Sequence, residues 1–339
     1  MVDFLKNLDP GLVTLNCADG QIYLSNKLQG RIFAGFGSFL AHRLVKELAE
    51  NPDPVEFNNL GGNSLWPAPE GGDFAYNYPP GGEWYVQQGI NSVPTATVEA
   101  DADHAVISKE IELLNRKGNT VKFLFKRTVR PLTADELPAV PVGVERTGYH
   151  SVDELIPLGE YSINDALIAP WSLEQFPGAE GITAFGRCAE KAEGCVNDDF
   201  YGNPAPRLRY NGKYFFFELG GENRLQIGIK VANQPDMIGA IDRDRGMFCV
   251  RTTPARQDGK YINIADNDQA SGPFGAADMF SIFNGSQELN FYELETIAPM
   301  SCDANGIIQP SRLESTSVFC RGNVTALEGI LKAEYGVEF

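Results

Sequence analysis

Alternating hydrophobic and polar residues dominate the chain and predict a protein built mainly of β-strands. The alternation is clearest in six segments, which we expect to form strands: residues 20–26, 120–132, 208–220, 224–231, 246–253 and 288–297. Asn211-Gly212 inside the third segment predicts a tight hairpin. Lys117-Gly118-Asn119 predicts a second hairpin turn just before the 120–132 segment.

Helical patterns are few. In residues 37–52, apolar residues recur near helical spacing after Ser38, a potential N-cap. Residues 323–336 have a similar pattern that begins at Asn323. Without a linker or an internal repeat, the pattern predicts one all-β sandwich domain over residues 1–339, with one or two short helices.

Composition and charge narrow the possible partners. The 339 residues carry a formal net charge of -17 and are 43% hydrophobic, which suffices for a sizeable core. Phosphate binding requires clustered Lys and Arg, so the acidic balance argues against nucleic acid. No apolar run is long enough for a membrane span. The first residues also lack the basic region and apolar core of a signal peptide, so we expect no membrane partner and a cytoplasmic location.

Metal and cofactor motifs are missing from the sequence. The six cysteines form no CxxC pair, so we expect mostly buried free thiols, although Cys188 and Cys195 could bridge in an exported protein. There is no P-loop, HExxH motif or nucleophile elbow. Residues 242–246 and 266–272 resemble calcium loops but lack the spacing to a closing Glu. We therefore predict neither a metal nor a cofactor.

Residues 58–91 concentrate glycine, proline, amides and carboxylates, together with two of the three tryptophans. Sugar sites combine aromatic rings, which pack on the apolar face of the sugar, with polar side chains that pair with its hydroxyls. The residues that fit this chemistry are Arg31, Asn63, Trp66, Glu70, Trp84 and Trp171. A tryptophan in a large sandwich can equally belong to the core, so each of these assignments has a structural alternative.

Four segments resemble the galactose-mutarotase-like (aldose epimerase-like) superfamily. They are residues 29–45 (QGRIFAGFGSFLAHRLV), 57–74 (FNNLGGNSLWPAPEGGDF), 169–181 (APWSLEQFPGAEG) and 288–300 (ELNFYELETIAPM). The second contains the GG…W-x-x-PEGG signature of uncharacterised branches. The resemblance implies a β-supersandwich of large antiparallel sheets with an open cleft for carbohydrate. We expect a small-molecule sugar as partner and a monomer or homodimer.

The resemblance also implies a mechanism. Mutarotases open a hexose ring with a Glu as general base and a His as general acid. By position in a late strand shortly before a proline, Glu295 matches the catalytic Glu. Glu293 faces the same side of that strand and is expected to share the cleft. Active mutarotases carry a His in a loop that reads Leu60-Gly61-Gly62 here, which leaves His150 as the candidate acid.

Three functions remain open from the sequence. The first is an aldose epimerase, an isomerase that uses Glu295 as base on a hexose. The second is a non-catalytic sugar-binding protein that lacks the acid histidine. The third is a glycoside hydrolase with paired carboxylates such as Glu70 and Glu295, which requires a carboxyl separation of about 5–5.5 Å or 6.5–9.5 Å. A phosphorylated sugar would require a cluster of Arg or Lys in the cleft.

Overall fold

The computed structural model of the chain describes residues 1–78, 80–254, 259–265, 274 and 277–339. Its strands are β1 (Val13–Cys17), β2 (Gly20–Ser25), β3 (Arg31–Phe36), β4 (Phe39–Leu40), β5 (Gly62–Ala68), β6 (Ala96–Ala100), β7 (Ala105–Leu114), β8 (Thr120–Pro131), β9 (Glu145–Pro157), β10 (Ala169–Pro177), β11 (Ile182–Cys188), β12 (Val196–Asn197), β13 (Leu208–Asn211), β14 (Tyr214–Glu218), β15 (Leu225–Lys230), β16 (Pro235–Asp242), β17 (Met247–Thr252), β18 (Asp278–Asn284), β19 (Phe291–Ile297), β20 (Ser301–Cys302), β21 (Ile308–Gln309) and β22 (Ser311–Arg321). Its α-helices are α1 (Val2–Leu8), α2 (Lys46–Glu50), α3 (Gln88–Asn91), α4 (Ser286–Leu289) and α5 (Val324–Tyr335).

Two large antiparallel sheets contain nearly all of these strands. Sheet 1 has the order β1-β2-β3-β5-β10-β19-β18-β15-β12, with β4 paired to β3. Sheet 2 has the order β13-β14-β11-β16-β17-β22-β9-β8-β7-β6. The main apolar core draws buried side chains from both sheets, among them Ile32 and Leu294 of sheet 1 and Phe125 and Leu155 of sheet 2. The predicted all-β sandwich is therefore confirmed.

Each of the six predicted strand segments contains a strand. The Asn-Gly hairpin forms between β13 and β14, with Asn211 opposite Tyr214 across a two-residue loop. Gly212 has a φ of 57° in this loop, a conformation that glycine adopts without steric cost. The second predicted turn connects β7 and β8 through Gly118, whose φ is 88°. The last segment is shorter than predicted, because Asn290 adopts a left-handed conformation that separates α4 from β19.

The helix predictions need correction. Residues 323–336 do form α5, and the Asn323 side chain accepts a hydrogen bond from the Ala326 amide as the predicted N-cap. Residues 37–52 are not one helix, because Phe39 pairs with Phe36 in a β-hairpin. Only α2 in that stretch is helical. The described residues contain five α-helices, four of which have seven residues or fewer, in agreement with an all-β fold that carries few short helices.

Three further features complete the fold. Residues 242–246 form the turn between β16 and β17, whereas residues 266–272 lie outside the described residues. All six cysteines are free, and five of them are buried; Cys302 is half-buried. None of the helices in the described part of the chain is long and apolar enough to cross a membrane.

Buried charges join the two sheets. Arg127 of β8 forms an ion pair of 2.7 Å with Asp153 of β9 and reaches across to the Asn63 carbonyl of β5 at 2.9 Å. Arg251 of β17 lies 3.0 Å from a Glu174 carboxylate oxygen of β10. Because all of these charged side chains are fully buried, their partners must be present for the charges to be tolerated.

The environment of Glu174 shows how such a charge is held. His42 Nε2 donates to it at 2.8 Å, since Nδ1 of the same ring accepts from the Ala34 amide. Tyr149 and Ser317 hydroxyls also donate to it. Burial acts to raise the pKa of Glu174, but Arg251 and the hydrogen bonds from His42 and Tyr149 outweigh it and lower the pKa to about 2.

Candidate functional site

A cavity of about 240 Å³ lies against the face of sheet 1 that points away from sheet 2. Side chains alternate along a strand, so the neighbours of Glu174 on β10 point the opposite way, into this cavity. They are Leu173 and Gln175, joined by Trp171 two residues before Leu173. A cavity of this kind suits a small molecule rather than a macromolecule.

The cavity floor extends over three adjacent strands. On β19 the cavity-facing residues are Phe291, Glu293 and Glu295, and on β5 they are Ser64 and Trp66. The antiparallel register places these residues side by side: Leu173 is opposite Glu295 and Ser64, and Gln175 is opposite Glu293. The pairing therefore gathers two carboxyls, an amide and two indoles on one surface.

Glu293 and Glu295 form a carboxyl pair at the centre of this floor. Their carboxyls are close enough to influence each other's protonation, and both residues are buried. Burial raises the pKa of Glu293 to about 7. Burial and the adjacent Glu293 carboxyl raise the pKa of Glu295 well above its usual range. Two carboxyls in contact cannot both ionise easily, so near neutral pH the pair holds a proton, on Glu295 in preference to Glu293.

Three donors orient the carboxyl pair. Trp171 Nε1 donates to Glu295 Oε2 at 2.9 Å, and Gln226 Nε2 of β15 approaches Glu295 Oε1 at 3.4 Å. Gln175 Nε2 donates to Glu293 Oε1 at 2.6 Å. Each carboxyl thus has a fixed orientation, which acid–base chemistry on a bound molecule requires.

Two arginines lie on the Glu293 side of the pair. Arg31 is buried and donates from Nη1 to the Gly61 carbonyl at 2.5 Å. Burial lowers the pKa of Arg31 to about 9, so its guanidinium stays charged at neutral pH. Arg43 donates to the Asn59 carbonyl at 2.7 Å and to Gln175 Oε1 at 3.2 Å. Both cations oppose the burial effect on Glu293 and favour its ionised form.

Aromatic side chains form the walls. On one side the rings contact each other edge to face: Trp66 with Trp171 at 6.2 Å, and Phe57 with both Trp66 and Trp84 at 5.5 and 5.8 Å between centroids. On the other side, a Tyr201–Phe283 pair and Phe291 line the cavity, and the Arg224 guanidinium lies 4.4 Å from the Tyr201 ring centroid. These walls offer large apolar faces with polar edges.

Glu70 lies in the loop that follows β5. Its Oε1 accepts from Trp84 Nε1 and from Asn77 Nδ2, both at 3.2 Å. Glu70 also lines the cavity, as Glu295 does. The two carboxyls considered for a glycoside hydrolase therefore border the same space.

Most of the residues singled out in the sequence meet at this cavity. Those that line it are Arg31, Trp66, Glu70, Trp84, Trp171, Glu293 and Glu295. Asn63 does not, because it alternates with Ser64 and Trp66 on β5 and so points between the sheets. There it donates to the Tyr149 hydroxyl at 2.8 Å and accepts from Arg127 at 2.7 Å and from Ser172 at 2.8 Å. Asn63 therefore contributes to the hydrogen bonds between the sheets and does not line the cavity.

His150 also lies elsewhere, and the expectation that it points into the cleft is corrected. It belongs to β9 of sheet 2, where Nδ1 is 3.0 Å from the Thr316 hydroxyl and Nε2 is 3.9 Å from a Glu314 oxygen. All three histidines are among the described residues and none lines the cavity. His42 is buried between the sheets, and His104 lies near the surface beside Asp101.

Several cavity residues were not identified from the sequence. Gln175 could have been, because it is four residues after Trp171 and would face the same side if the 169–181 segment were recognised as a strand. Gln226 and Phe283 lie on neighbouring strands, but only the order of strands in sheet 1 brings them to β19. Tyr201 comes from a loop that carries no distinguishing pattern, and Arg224 directly precedes β15, at the start of the predicted 224–231 segment.

Three solved structures are similar to this chain. A candidate aldose 1-epimerase from Escherichia coli K12 superposes with a TM-score of 0.52 at 12% identity, over 92% of this chain and 99% of that one. A galactose mutarotase-like protein from Lactobacillus casei ATCC 334 gives 0.49 at 8% identity, covering 92% and 99%. A galactose mutarotase related enzyme from Lactobacillus acidophilus gives 0.48 at 9% identity, covering 93% and 98%.

The first of these structures shows that the chain has the mutarotase-like β-sandwich fold. No curated protein sequence matches the chain at a significant level. A family profile does match, from residue 1 to residue 339. The chain therefore belongs to DUF6786, a family of unknown function.

Proposed function

We propose that the cavity binds a monosaccharide and that Glu293 and Glu295 interconvert its anomers, as an aldose epimerase does. The observation that carries this proposal is the pair of buried, interacting carboxyls on the floor of an aromatic cavity. Such a pair supplies a proton donor and a proton acceptor at one place, near neutral pH.

The cavity walls support a sugar as the ligand. The indoles of Trp66 and Trp171 present flat apolar faces, which pack well on the C–H side of a pyranose. Gln175, Gln226 and Ser64 provide donors and acceptors for hydroxyl groups around them. This combination suits a molecule that is polar at its rim and apolar on its faces.

The balance of charge favours an uncharged sugar. Among the described residues that line the cavity, Arg31 and Arg224 offset the charges of Glu70 and of the singly protonated carboxyl pair. A phosphorylated sugar would bring negative charge next to three carboxyls without a dedicated set of phosphate donors. The proposed substrate is therefore a neutral aldose such as a hexose.

The proposed reaction proceeds by two proton transfers. Ionised Glu293 accepts the proton of the anomeric hydroxyl, and protonated Glu295 donates its proton to the ring oxygen. The bond between C1 and the ring oxygen breaks, which leaves an open-chain aldehyde and a free hydroxyl. After rotation about the C1–C2 bond, the reverse transfers close the ring as the other anomer. The carboxyl pair holds the same number of protons throughout.

These roles differ from the expectation that Glu295 is the base. Burial and the adjacent Glu293 keep the pKa of Glu295 well above its usual range, whereas the pKa of Glu293 is near 7. The more readily ionised carboxyl is the better base at neutral pH, and the other is the better acid. The donor role expected of a histidine therefore passes to Glu295.

A second candidate is a sugar-binding protein without catalysis. The observation that favours it is that none of the three histidines lines the cavity. In this alternative the carboxyl pair accepts and donates hydrogen bonds to sugar hydroxyls but transfers no proton. The aromatic walls serve binding equally well in both cases.

Polarimetry separates the candidates. Freshly dissolved α-glucose or α-galactose should reach its equilibrium rotation faster with the wild-type protein than in buffer, and Glu295→Gln should lose this acceleration. Quenching of tryptophan fluorescence by sugar without any acceleration would support binding alone. The release of nitrophenol from a nitrophenyl glycoside would instead point to hydrolysis by Glu70 and Glu295. If none of these signals appears with either sugar, the assignment to hexose chemistry is wrong.

A further inference from the structure

Arg43 is connected to the carboxyl pair although it does not line the cavity. It lies between β4 and α2, and its guanidinium is 4.7 Å from the ring centroid of Phe291, a cavity residue. From there Nη1 donates to Gln175 Oε1 at 3.2 Å, and Gln175 Nε2 donates to Glu293 Oε1 at 2.6 Å. Arg43, Gln175 and Glu293 thus form a continuous chain of hydrogen bonds.

The direction of this chain follows from the chemistry of Arg43. A guanidinium carries donors and no acceptor, so it can only face the oxygen of the Gln175 amide. The amide nitrogen must then point at Glu293. A donor directed at a carboxyl favours its ionised form, whereas an amide oxygen in the same place would favour the protonated form. The orientation of one amide therefore bears on the protonation of Glu293.

The surroundings of the two carboxyls are unequal in charge. Glu293 has the cations Arg31 and Arg43 close by. Glu295 instead has Glu293 and Glu70, two carboxyls that oppose its ionisation. Arg31 donates to Gln29 Oε1 and to the Gly61 carbonyl, whereas Arg43 donates to the Gln175 amide oxygen, so the amide orientation depends on Arg43.

We propose that Arg43 is a positioning residue that acts through Gln175, fixing its amide so that Glu293 is the carboxyl that ionises and Glu295 the one that keeps the proton. The assignment of acid and base rests on the proposed function. The control of the proton's position by Arg43 is a property of the protein alone and can be measured without substrate.

The experiment is a pH titration of the carboxyl carbons by NMR in protein labelled at its glutamate carboxyl groups. Signals of the pair are assigned by their loss in Glu293→Gln and Glu295→Gln. The variants are Arg43→Met, which removes the charge and donors but keeps a long apolar chain, and Arg43→Lys, which keeps a donor-only cation. Gln175→Met removes the connecting amide. Arg312→Gln, on a half-exposed side chain of sheet 2, is the matched control.

We expect Arg43→Met to raise the pKa of Glu293 by about one unit, the size of effect that a nearby opposite charge commonly has. Arg43→Lys should restore most of the shift, and Arg312→Gln should cause none. Gln175→Met should also raise the pKa. Because Arg43 and Gln175 share the amide-mediated part of their effects, the double variant Arg43→Met/Gln175→Met should shift the pKa of Glu293 by clearly less than the sum of the two single variants.

An unchanged pKa of Glu293 in a natively folded Arg43→Met protein would overturn the inference, and so would fully additive shifts in the double variant. If Arg43→Met does not fold, Gln175→Met is compared with wild type instead. An unchanged pKa of Glu293 in Gln175→Met would show that the hydrogen-bond chain from Arg43 does not control the protonation of Glu293. Polarimetry on the same samples keeps the two proposals apart. If the pKa of Glu293 shifts in Arg43→Met but the wild-type protein does not accelerate mutarotation, the proposed reaction is wrong and the role of Arg43 stands. If the wild-type protein accelerates mutarotation but the pKa does not shift, only the role of Arg43 is wrong.

Discussion

The indole nitrogen of Trp171 donates a hydrogen bond of 2.9 Å to the Glu295 carboxyl, while the indole ring packs edge to face against Trp66. One side chain thus orients the proposed acid and forms part of the apolar wall. These two contributions can be separated by a substitution that keeps an aromatic ring but removes the donor.

Trp171→Phe should slow anomer interconversion up to about tenfold, because a hydrogen bond to an uncharged group contributes about 0.5–1.5 kcal/mol. Sugar affinity should change much less, since an aromatic face remains. Stopped-flow polarimetry for the rate and fluorescence of the remaining tryptophans for affinity check this. An equal loss of rate and affinity would mean that Trp171 only forms the wall.

Replacement of His150 should not affect activity. Its ring contacts Thr316 and Glu314 on sheet 2, so His150→Gln should keep the wild-type rate. Glu295→Gln should lose about 10²–10⁴-fold, the usual contribution of a general acid or base. Polarimetry of both variants side by side provides the comparison, and a large loss in His150→Gln would return that histidine to the mechanism.

The rate should depend on pH as a bell-shaped curve. Activity requires ionised Glu293, whose pKa is about 7, so the rate should rise as pH increases through this value. It should fall again at a higher pH when Glu295, with its strongly raised pKa, loses its proton. Initial rates between pH 5 and pH 10, corrected for the buffer reaction, test the shape. A rate that declines steadily from pH 5 would reverse the assignment.

Stability should respond to the same proton. The folded protein raises the pKa of Glu293 from 4.5 to about 7, so between these values the folded state retains a proton that the unfolded state releases. The free energy of unfolding therefore decreases as pH rises through this window. Glu293→Gln should remove this contribution and gain about 2–3 kcal/mol relative to wild type between pH 4.5 and pH 7.5. Urea unfolding at several pH values measures the difference, and a constant difference would contradict it.

Asn63 should matter for stability rather than binding. Asn63→Ala removes one buried hydrogen bond each from Arg127, Tyr149 and Ser172, which should cost about 3 kcal/mol in the free energy of unfolding. Sugar affinity of the folded protein should remain close to wild type. Urea unfolding and fluorescence titration test both parts. A variant of wild-type stability with weakened binding would place Asn63 in the site after all.

The sequence allowed β8 to be predicted because only one of its faces is fully buried, and the alternation of its residues records that burial. It also located Glu293 and Glu295, which share a strand. It did not locate the helix boundary near α2, since Phe39 is taken into a hairpin that no local pattern describes. Pairing with a neighbouring strand overrides helical spacing there.

The error for His150 has a different origin. Alternation tells which residues of a strand share a face, but not to which sheet the strand belongs. His150 lies on β9, whose neighbours are β8 and β22, while the cavity is built on β5, β10 and β19. Asn63 shows a similar limit within a single strand. Its neighbour Ser64 points into the cavity, whereas Asn63 points between the sheets, and alternation alone does not tell which face of the strand borders the cavity.

The two faces of β10 carry chemistries that cannot be exchanged. A slip of one residue in its pairing would bring Glu174 into the cavity beside two other carboxyls and leave Arg251 facing an amide. An unpaired buried guanidinium would make that arrangement strongly unfavourable. The ionic contacts between the sheets thus destabilise misaligned pairings of β10. Correct assembly of the cavity therefore depends on residues that do not line it.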